Sequence, residues 1–236
     1  MQVAEGIEMY TDQGVVNWFL VETDEGPVAV DAGFPTAWDE IEERADELVA
    51  LVLTHGHIDH CGFAPNVAER GIPVYVPSGD ESIVQSPLPM AESEGSILKY
   101  VVKESATRSL YLKALKSGAV KGQTLHHYTV YRDGDTLPGG LRAIATPGHT
   151  DGHMALHLPD RDVVFVGDAI VTVDPYTELE GPRLVARAAT ADVERNLASL
   201  AAIAATGAAT VLTGHGPPFT GGAAAAAEEA RRNGAA

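Results

Sequence analysis

The chain has 236 residues, of which 45% are hydrophobic and 21% charged, and its 16 Lys and Arg against 33 Asp and Glu give a formal net charge of −17 at pH 7. This composition is typical of a globular protein and excludes a disordered or fibrous one. A chain with this negative charge repels phosphate backbones and anionic lipid. We therefore expect neither nucleic acid nor a membrane as partner, although the net charge could hide a small basic patch.

The first part of the chain alternates strand and helix patterns. The predicted strands cover residues 15–22, 27–31, 50–53 and 73–76. The predicted helices cover residues 38–48, which are acidic and amphipathic, and 63–70, which Gly71 is placed to end.

Residues 78–123 depart from this alternation. A loop is predicted around Pro87 and Pro89, and a single helix is predicted over residues 94–115. We interpret the segment as a mainly helical insertion packed onto the core, and we expect it to form a lid or wall over a substrate site or to mediate a homodimer. Its Met90, Tyr100 and Tyr111 could line such a pocket, with ordinary packing as the simpler alternative.

The remainder of the chain returns to strands, with a helix near the end of the chain. Strands are predicted at 126–131, 141–145, 155–158, 163–166 and 210–212, and helices at 192–205 and 223–232. Strands that alternate with helices in both halves favour two sheets with helices outside, and no linker-like stretch divides the chain, so we expect a single domain over 1–236.

The cysteine content and the N-terminal residues limit the kind of metal site and the cellular location that we expect. Cys61 is the sole cysteine, which excludes an intramolecular disulfide and a zinc site built on several thiolates. The N-terminal residues lack a basic segment followed by an apolar run, and no apolar stretch reaches membrane-spanning length. We therefore expect a cytoplasmic location.

Potential metal ligands follow four of the predicted apolar strands. Loops at strand ends are where a rigid scaffold presents binding groups. The residues concerned are His55, His57, Asp59 and His60 after the first of these strands, then His149, Asp168 and His215 after the others.

The residue types suit a metal centre with two ions. Imidazole and carboxylate groups bind zinc and iron, and seven of them exceed what one tetrahedral ion can use. Two ions with a bridging carboxylate would use them all. A continuous helix would turn His57 away from its neighbours, so the cluster from His55 to His60 requires an irregular loop, which Gly56 supports.

A role other than metal binding explains some of these residues better than others. Three histidines and an aspartate within six positions are not explained by packing, because each buried imidazole would need its own partner. His149, Asp168 and His215 would each, taken singly, suit a surface or turn role. Cys61 more often acts as a small hydrophobic residue than as a ligand, and His126, His127 and His157 suit ordinary strand positions.

The motifs resemble those of the metallo-β-lactamase superfamily. The run from His55 to Gly62 is similar to its His-x-His-x-Asp-His signature, and the run from Thr146 to His153 is similar to its second motif. Gly167-Asp168 and Gly214-His215-Gly216 resemble the third and fourth motifs, and Asp31-Ala32-Gly33 matches a turn that closes an early strand. The resemblance implies an α/β fold, an αββα sandwich of two mixed β-sheets with helices on the outer faces.

The same resemblance implies roles for individual residues. His55, His57 and His149 would bind a first metal ion, and Asp59, His60 and His215 a second, with Asp168 bridging them. Asp31 would orient a ligand, although a plain turn position explains it equally well, and His153 would hydrogen-bond within its loop. Two divalent ions are expected, zinc first, with iron or manganese as alternatives.

The implied activity is hydrolysis of a small ester, thioester, lactone or lactam by a hydroxide that the metals activate, with Asp59 taking or relaying a proton. A single-domain enzyme of the lactonase or thioesterase kind fits best, because we see no export signal, no basic cleft and no C-terminal helical domain of the glyoxalase II type. The alternatives are a mononuclear iron persulfide dioxygenase and a non-catalytic metal-binding module.

Overall fold

The computed structural model describes residues 1–86, 93–119 and 124–236. Within these residues, the larger sheet has seven strands in chain order. They pair antiparallel as far as the fourth strand and in parallel from there to the seventh. The strands are β1 (Gln2–Ala4), β2 (Ile7–Asp12), β3 (Val16–Val21), β4 (Val28–Val30), β5 (Ala50–Val52), β6 (Val74–Pro77) and β7 (Thr129–Tyr131).

A second sheet comes from the later part of the chain. It contains β8 (Arg142–Ala145), β9 (Met154–Leu158), β10 (Val163–Gly167) and β13 (Thr210–Thr213), in the order β13-β10-β9-β8. The pair β10 and β13 is parallel and the others are antiparallel, so this sheet is also mixed. A separate two-stranded ribbon joins β11 (Val171–Val173) to β12 (Glu180–Arg183).

The helices among the described residues are mostly short. They are α1 (Trp38–Ile41), α2 (Ile58–Cys61), α3 (Ala64–Glu69), α4 (Glu81–Val84), α5 (Ile97–Lys103), α6 (Ser105–Lys116), α7 (Val193–Ala205) and α8 (Ala223–Asn233). In the described part of the chain, none of them combines the length and the apolar character needed to cross a membrane.

Three apolar layers hold the sheets and helices together. Side chains alternate across β3, so Trp18 packs with the helices outside the larger sheet while Phe19 packs between the sheets against Phe165, with ring centroids 5.1 Å apart. A third layer lies between the smaller sheet and α7 and α8, and it includes Val164 and Leu200. The predicted αββα sandwich of two mixed sheets is confirmed.

Several predicted elements differ from the structure. The helix expected over 94–115 is broken at Glu104, whose ψ of 122° is extended, and Arg108 donates to the carbonyl of Val101 at the end of α5. Residues 38–48 form α1 followed by a 3-10 turn rather than one helix, and the strand expected over 126–131 begins at Thr129. Strands β1, β2, β11 and β12 were not predicted. The loop around Pro87 and Pro89 lies outside the described residues, as does Gln123, the predicted end of the insertion.

Candidate metal centre

The loop after β5 brings the first cluster of histidines to the edge of the sandwich. The chain is extended at His57, and α2 begins at the next residue, so the cluster is a loop at its start and a helical turn at its end. The prediction of an irregular loop from His55 to His60 was therefore wrong for the second half of the cluster. A helical turn that begins only at Ile58 can still keep Asp59 and His60 beside the histidines of the preceding loop. The Gly56 amide donates to Asp80, with 2.8 Å between N and Oδ2.

One group of histidines joins two separate loops. The potential ligand atoms of His55, His57 and His149 lie within 4.8 Å of one another, and Nε2 of His149 is 2.9 Å from Nδ1 of His57. Gly148 lets the loop that carries His149 pack closely on α7: its φ is 136°, and a Cβ there would lie 2.2 Å from the backbone nitrogen of Asn196.

A second group lies beside the first. The potential ligand atoms of Asp59, His60 and His215 also lie within 4.8 Å of one another. The distance from Oδ2 of Asp59 is 3.6 Å to Nε2 of His215 and 3.9 Å to Nε2 of His60. These three residues come from α2 and from the loop after β13.

Asp168, at the end of β10, lies between the two groups. Its Oδ1 is 3.5 Å from Nε2 of His60, and its Oδ2 is 3.3 Å from Nε2 of His215 and 3.5 Å from Nε2 of His149. A Cβ at Gly214 would lie 2.2 Å from this carboxylate, so only glycine leaves the space. The carboxylate therefore faces ring nitrogens from both groups at once.

Several of the potential ligand atoms lack hydrogen-bond partners in the described part of the protein, and a bound metal ion would give them one. Nε2 of His55, Nε2 of His60 and Oδ1 of Asp168 are buried and have no hydrogen-bond partner within the described residues. Buried polar atoms without partners are costly, and imidazole nitrogens beside carboxylates are a typical ligand set for divalent ions. The seven predicted residues are thus brought together in an arrangement able to hold metal.

Burial and neighbouring charges push the histidine pKa values in opposite directions. Burial lowers the pKa of His55 and His149 well below the usual value, which keeps them in the neutral form that binds metal. Burial opposes protonation of His60 too, but the carboxylates of Asp168 and Asp59 outweigh it and raise the pKa to about 10. The negative charge that raises this pKa would equally attract a cation.

Asp31 lies behind the second group. Its Oδ2 is 3.0 Å from Nδ1 of His60, and its Oδ1 accepts a hydrogen bond of 2.7 Å from the Thr54 amide. Thr54 Oγ1 in turn lies 3.1 Å from Nδ1 of His55. The φ of Asp31 is 59°, a left-handed conformation that aspartate tolerates better than most residues.

Two residues that the sequence analysis missed position the ligand loops. Asp80, buried after β6, accepts from the amides of Gly56 and Gly152 and from the Thr150 hydroxyl. Asn17 donates to the carbonyls of Thr213 and Gly216, on either side of His215. Each carried a signal: Asp80 follows an apolar strand as the ligands do, and Asn17 interrupts an apolar strand.

The other candidates take supporting positions. His153 hydrogen-bonds within its loop, with Nδ1 2.8 Å from Thr146 Oγ1, and accepts from the amide of Asp168. Cys61 is buried in the apolar layer under α2, and its thiol donates to the Gly56 carbonyl. His157 lies in β9, whereas His126 and His127 are exposed ahead of β7.

Comparison with known proteins decides the family. Residues 11–215 match the family described as the metallo-beta-lactamase superfamily. The chain belongs to this superfamily. Its members bind metal ions, and the curated relatives of this chain indicate a hydrolase.

Curated relatives within the superfamily carry hydrolase names. The probable metallo-hydrolase YflN of Bacillus subtilis (strain 168) is 29% identical over 245 residues, covering 93% of this chain and 87% of that protein. A hydroxyacylglutathione hydrolase of Cereibacter sphaeroides is 28% identical over 142 residues, covering 60% of this chain and 41% of that enzyme.

Solved superfamily structures share the fold. The metallo-beta-lactamase family protein TTHA1429 from Thermus thermophilus has a TM-score of 0.68 and 21% identity, covering 96% of this chain and 78% of that one. TTHA1623, determined in a di-iron-bound form, has a TM-score of 0.61 and 26% identity, covering 89% of this chain and 92% of that one.

A cavity of about 160 Å³ opens over the candidate centre of this superfamily member. Its floor includes His57, Asp59, His149, Asp168 and His215. Its walls are apolar and come from α6, through Leu110, Tyr111 and Ala114, and from the segments around Tyr176 and Ala188. No lysine or arginine is among the described residues that line it. Tyr100 lies elsewhere, buried with its hydroxyl on the Ala236 carbonyl, and Met90 is outside the described residues.

Proposed function

We propose that the protein is a hydrolase that uses two divalent metal ions, zinc in the first instance, to cleave a small uncharged ester, thioester, lactone or lactam. The position of Asp168 carries the proposal. A carboxylate within 3.3 to 3.5 Å of ring nitrogens from both histidine groups is suited to bridge two ions. Asp59, His60 and His215 together offer donors for a second ion, which favours a dinuclear over a mononuclear centre. The iron in TTHA1623 makes iron the first alternative metal.

His55, His57 and His149 would hold one ion, and Asp59, His60 and His215 the other, with Asp168 shared. Ions bound there would supply a hydroxide nucleophile at neutral pH and would polarise the substrate carbonyl. Water then adds across the acyl bond: oxygen bonds to the carbonyl carbon, and the carbon–oxygen, carbon–sulfur or carbon–nitrogen bond breaks with its electrons on the leaving atom. That atom takes up a proton.

Asp59 is the residue best placed to handle that proton. It lines the cavity, and its side chain is 21% exposed, against 4% for the side chain of Asp168. A carboxylate open to the substrate can accept the proton of the attacking water and pass it to the leaving atom. Asp168 also borders the cavity, but its side chain is enclosed among histidines and is far less exposed.

The cavity walls narrow the substrate class. Leu110, Tyr111 and Ala114 of α6 present an apolar surface to the metal centre. Without a lysine or arginine among the described lining residues, the cavity walls offer no cationic side chain to pair with a carboxylate on the acyl chain. An uncharged acyl group of modest size therefore fits better than an anionic antibiotic or a glutathione conjugate.

The test is hydrolysis by metal-loaded protein of matched substrates, with and without a carboxylate on the acyl chain. We expect turnover of uncharged esters, thioesters or lactones and its loss in Asp168→Asn, with folding checked by circular dichroism. No turnover of any of these classes by protein with full metal content would refute the hydrolase proposal. A preference for the carboxylate-bearing member of each pair would refute only the substrate class.

A further inference from the structure

The basic residues of this acidic protein are unevenly distributed. All five lysines of the chain lie between residues 99 and 121. The α5–α6 hairpin, residues 97–116, carries five cationic side chains and one anionic side chain, whereas the rest of the chain has 11 and 32, from totals of 16 and 33. The net charge of the whole chain therefore does not describe the charge of this segment.

The same hairpin holds most of the large hydrophobic side chains that are exposed in the described residues. Of the seven large hydrophobic side chains that are exposed in the described residues, five belong to it. Their exposed fractions are large, from 45% to 70%. These residues are Leu98, Val102, Tyr111, Leu112 and Leu115.

Apolar and cationic side chains share one outward face, which we term the hairpin face. On α5, Leu98 and Val102 are exposed beside Lys99 and Lys103. On α6, the exposed positions recur at helical spacing and carry Arg108, Leu112, Leu115 and Lys116. Arg108 lies 3.0 Å from the Val101 carbonyl oxygen, so the exposed faces of the two helices adjoin.

The opposite side of the hairpin is attached to the body of the protein. Tyr100 and Thr107 are buried, and Thr107 donates to the Tyr176 carbonyl over 2.7 Å. Leu110 and Ala114 pack towards Phe34 and line the cavity. The attachment holds the hairpin face outward, and Tyr111 lies both on α6's exposed side and at the cavity.

We propose that the hairpin face docks on an anionic lipid bilayer. Exposed leucine and valine side chains can enter the boundary between headgroups and acyl chains, while lysines beside them keep their ammonium groups among the headgroup phosphates. Charges further away are screened over about 8 Å at physiological ionic strength, so the acidic body contributes little repulsion. Docking would bring the cavity close to the lipid surface.

A second copy of the chain fits this face less well. In a symmetric dimer the same patch meets itself, so the hairpin's excess of cationic side chains would oppose an identical excess. A bilayer containing acidic lipid offers both features that the face complements, negative charge and an apolar interior. The proposal concerns binding alone and holds whether or not the hydrolase proposal does.

Flotation of the metal-loaded protein with vesicles tests it. We expect binding to vesicles of phosphatidylcholine with phosphatidylglycerol, weakened by salt, and little binding to phosphatidylcholine alone. Lys103→Gln combined with Lys116→Gln should weaken binding about fivefold for each lysine. The matched control, Arg231→Gln with Arg232→Gln, makes the same charge change at exposed positions of α8 and should bind as the original protein does.

A second pair of variants removes the apolar part. Leu112→Ser with Leu115→Ser should weaken binding to the anionic vesicles without changing metal content or the circular dichroism spectrum. Equal binding to both vesicle types, no binding to either, or an equal loss in the α8 control would overturn the proposal. So would a dimer in light scattering that the leucine pair converts to monomer while vesicle binding is absent, because the face would then join two copies.

Discussion

Oδ2 of Asp31 lies 3.0 Å from Nδ1 of His60, and both side chains are buried. An imidazole that donates its Nδ1 proton to a carboxylate keeps the lone pair of its other nitrogen for a metal, and here Nε2 lies 3.5 Å from Oδ1 of Asp168. Asp31 is itself held by Thr54, so the orientation of His60 depends on a chain of contacts that reaches back to β5.

Asp31→Asn should weaken the ion at His60 more than the ion at His55. The amide keeps an acceptor for Thr54 but lacks the charge that orients the imidazole, and losing such a partner typically costs 10- to 100-fold (roughly) in metal affinity. Competitive titration with a chromogenic chelator measures it. Asp39→Asn, at an exposed position in α1, is the control. Equal loss of both ions would instead mean that Asp31 supports the whole loop.

Cys61→Ala should leave the metal content and the turnover nearly unchanged. The thiol lies in the apolar layer and donates to the Gly56 carbonyl, and burial raises its pKa, so the metal-binding thiolate is disfavoured. We expect a loss of about 1 kcal/mol in the free energy of unfolding. Release of one metal equivalent would make Cys61 a ligand.

Leu110→Ala should change which acyl chain is preferred. The side chain lines the cavity, and each methylene that a pocket gains or loses changes discrimination by about tenfold or more. We expect kcat/KM to shift towards longer chains. Leu112→Ala, two residues along the same helix but exposed, is the control. If both variants keep the original preference, α6 does not select the acyl group.

The strand ends carrying the ligands could be predicted because apolar runs followed by His or Asp are visible locally. The contacts that position those ligands could not. Asp80 is 24 residues from Gly56 and 72 from Gly152, and only folding brings them together. Likewise, the helical pattern runs unbroken across Glu104, and tertiary contacts such as that between Thr107 and Tyr176 accompany the break.

His153 predicts a pH dependence of stability. Burial is the main cause that lowers its pKa from 6.5 to about 3. The folded state therefore binds this proton less readily than the unfolded state. The contribution of neutral His153 to the free energy of unfolding is therefore complete above pH 6.5 and is lost as the pH falls towards 3. The free energy of unfolding falls by up to about 1.4 kcal/mol per pH unit in this range.

The measurement is the free energy of unfolding of the metal-free protein between pH 4 and 6.5 (roughly the range over which the two states differ). His153→Gln should give a shallower decline than the original protein, whereas His126→Gln, at an exposed position, should not. Parallel curves for all three proteins would mean that His153 does not contribute to the slope.

The metal content of protein purified without chelator tests the central claim most directly. Two histidine groups with Asp168 between them predict about two divalent ions per chain by inductively coupled plasma mass spectrometry. Asp168→Asn should lower the content of both. One tightly bound iron per chain, together with sulfite formed from glutathione persulfide and oxygen, would contradict the account and identify a dioxygenase.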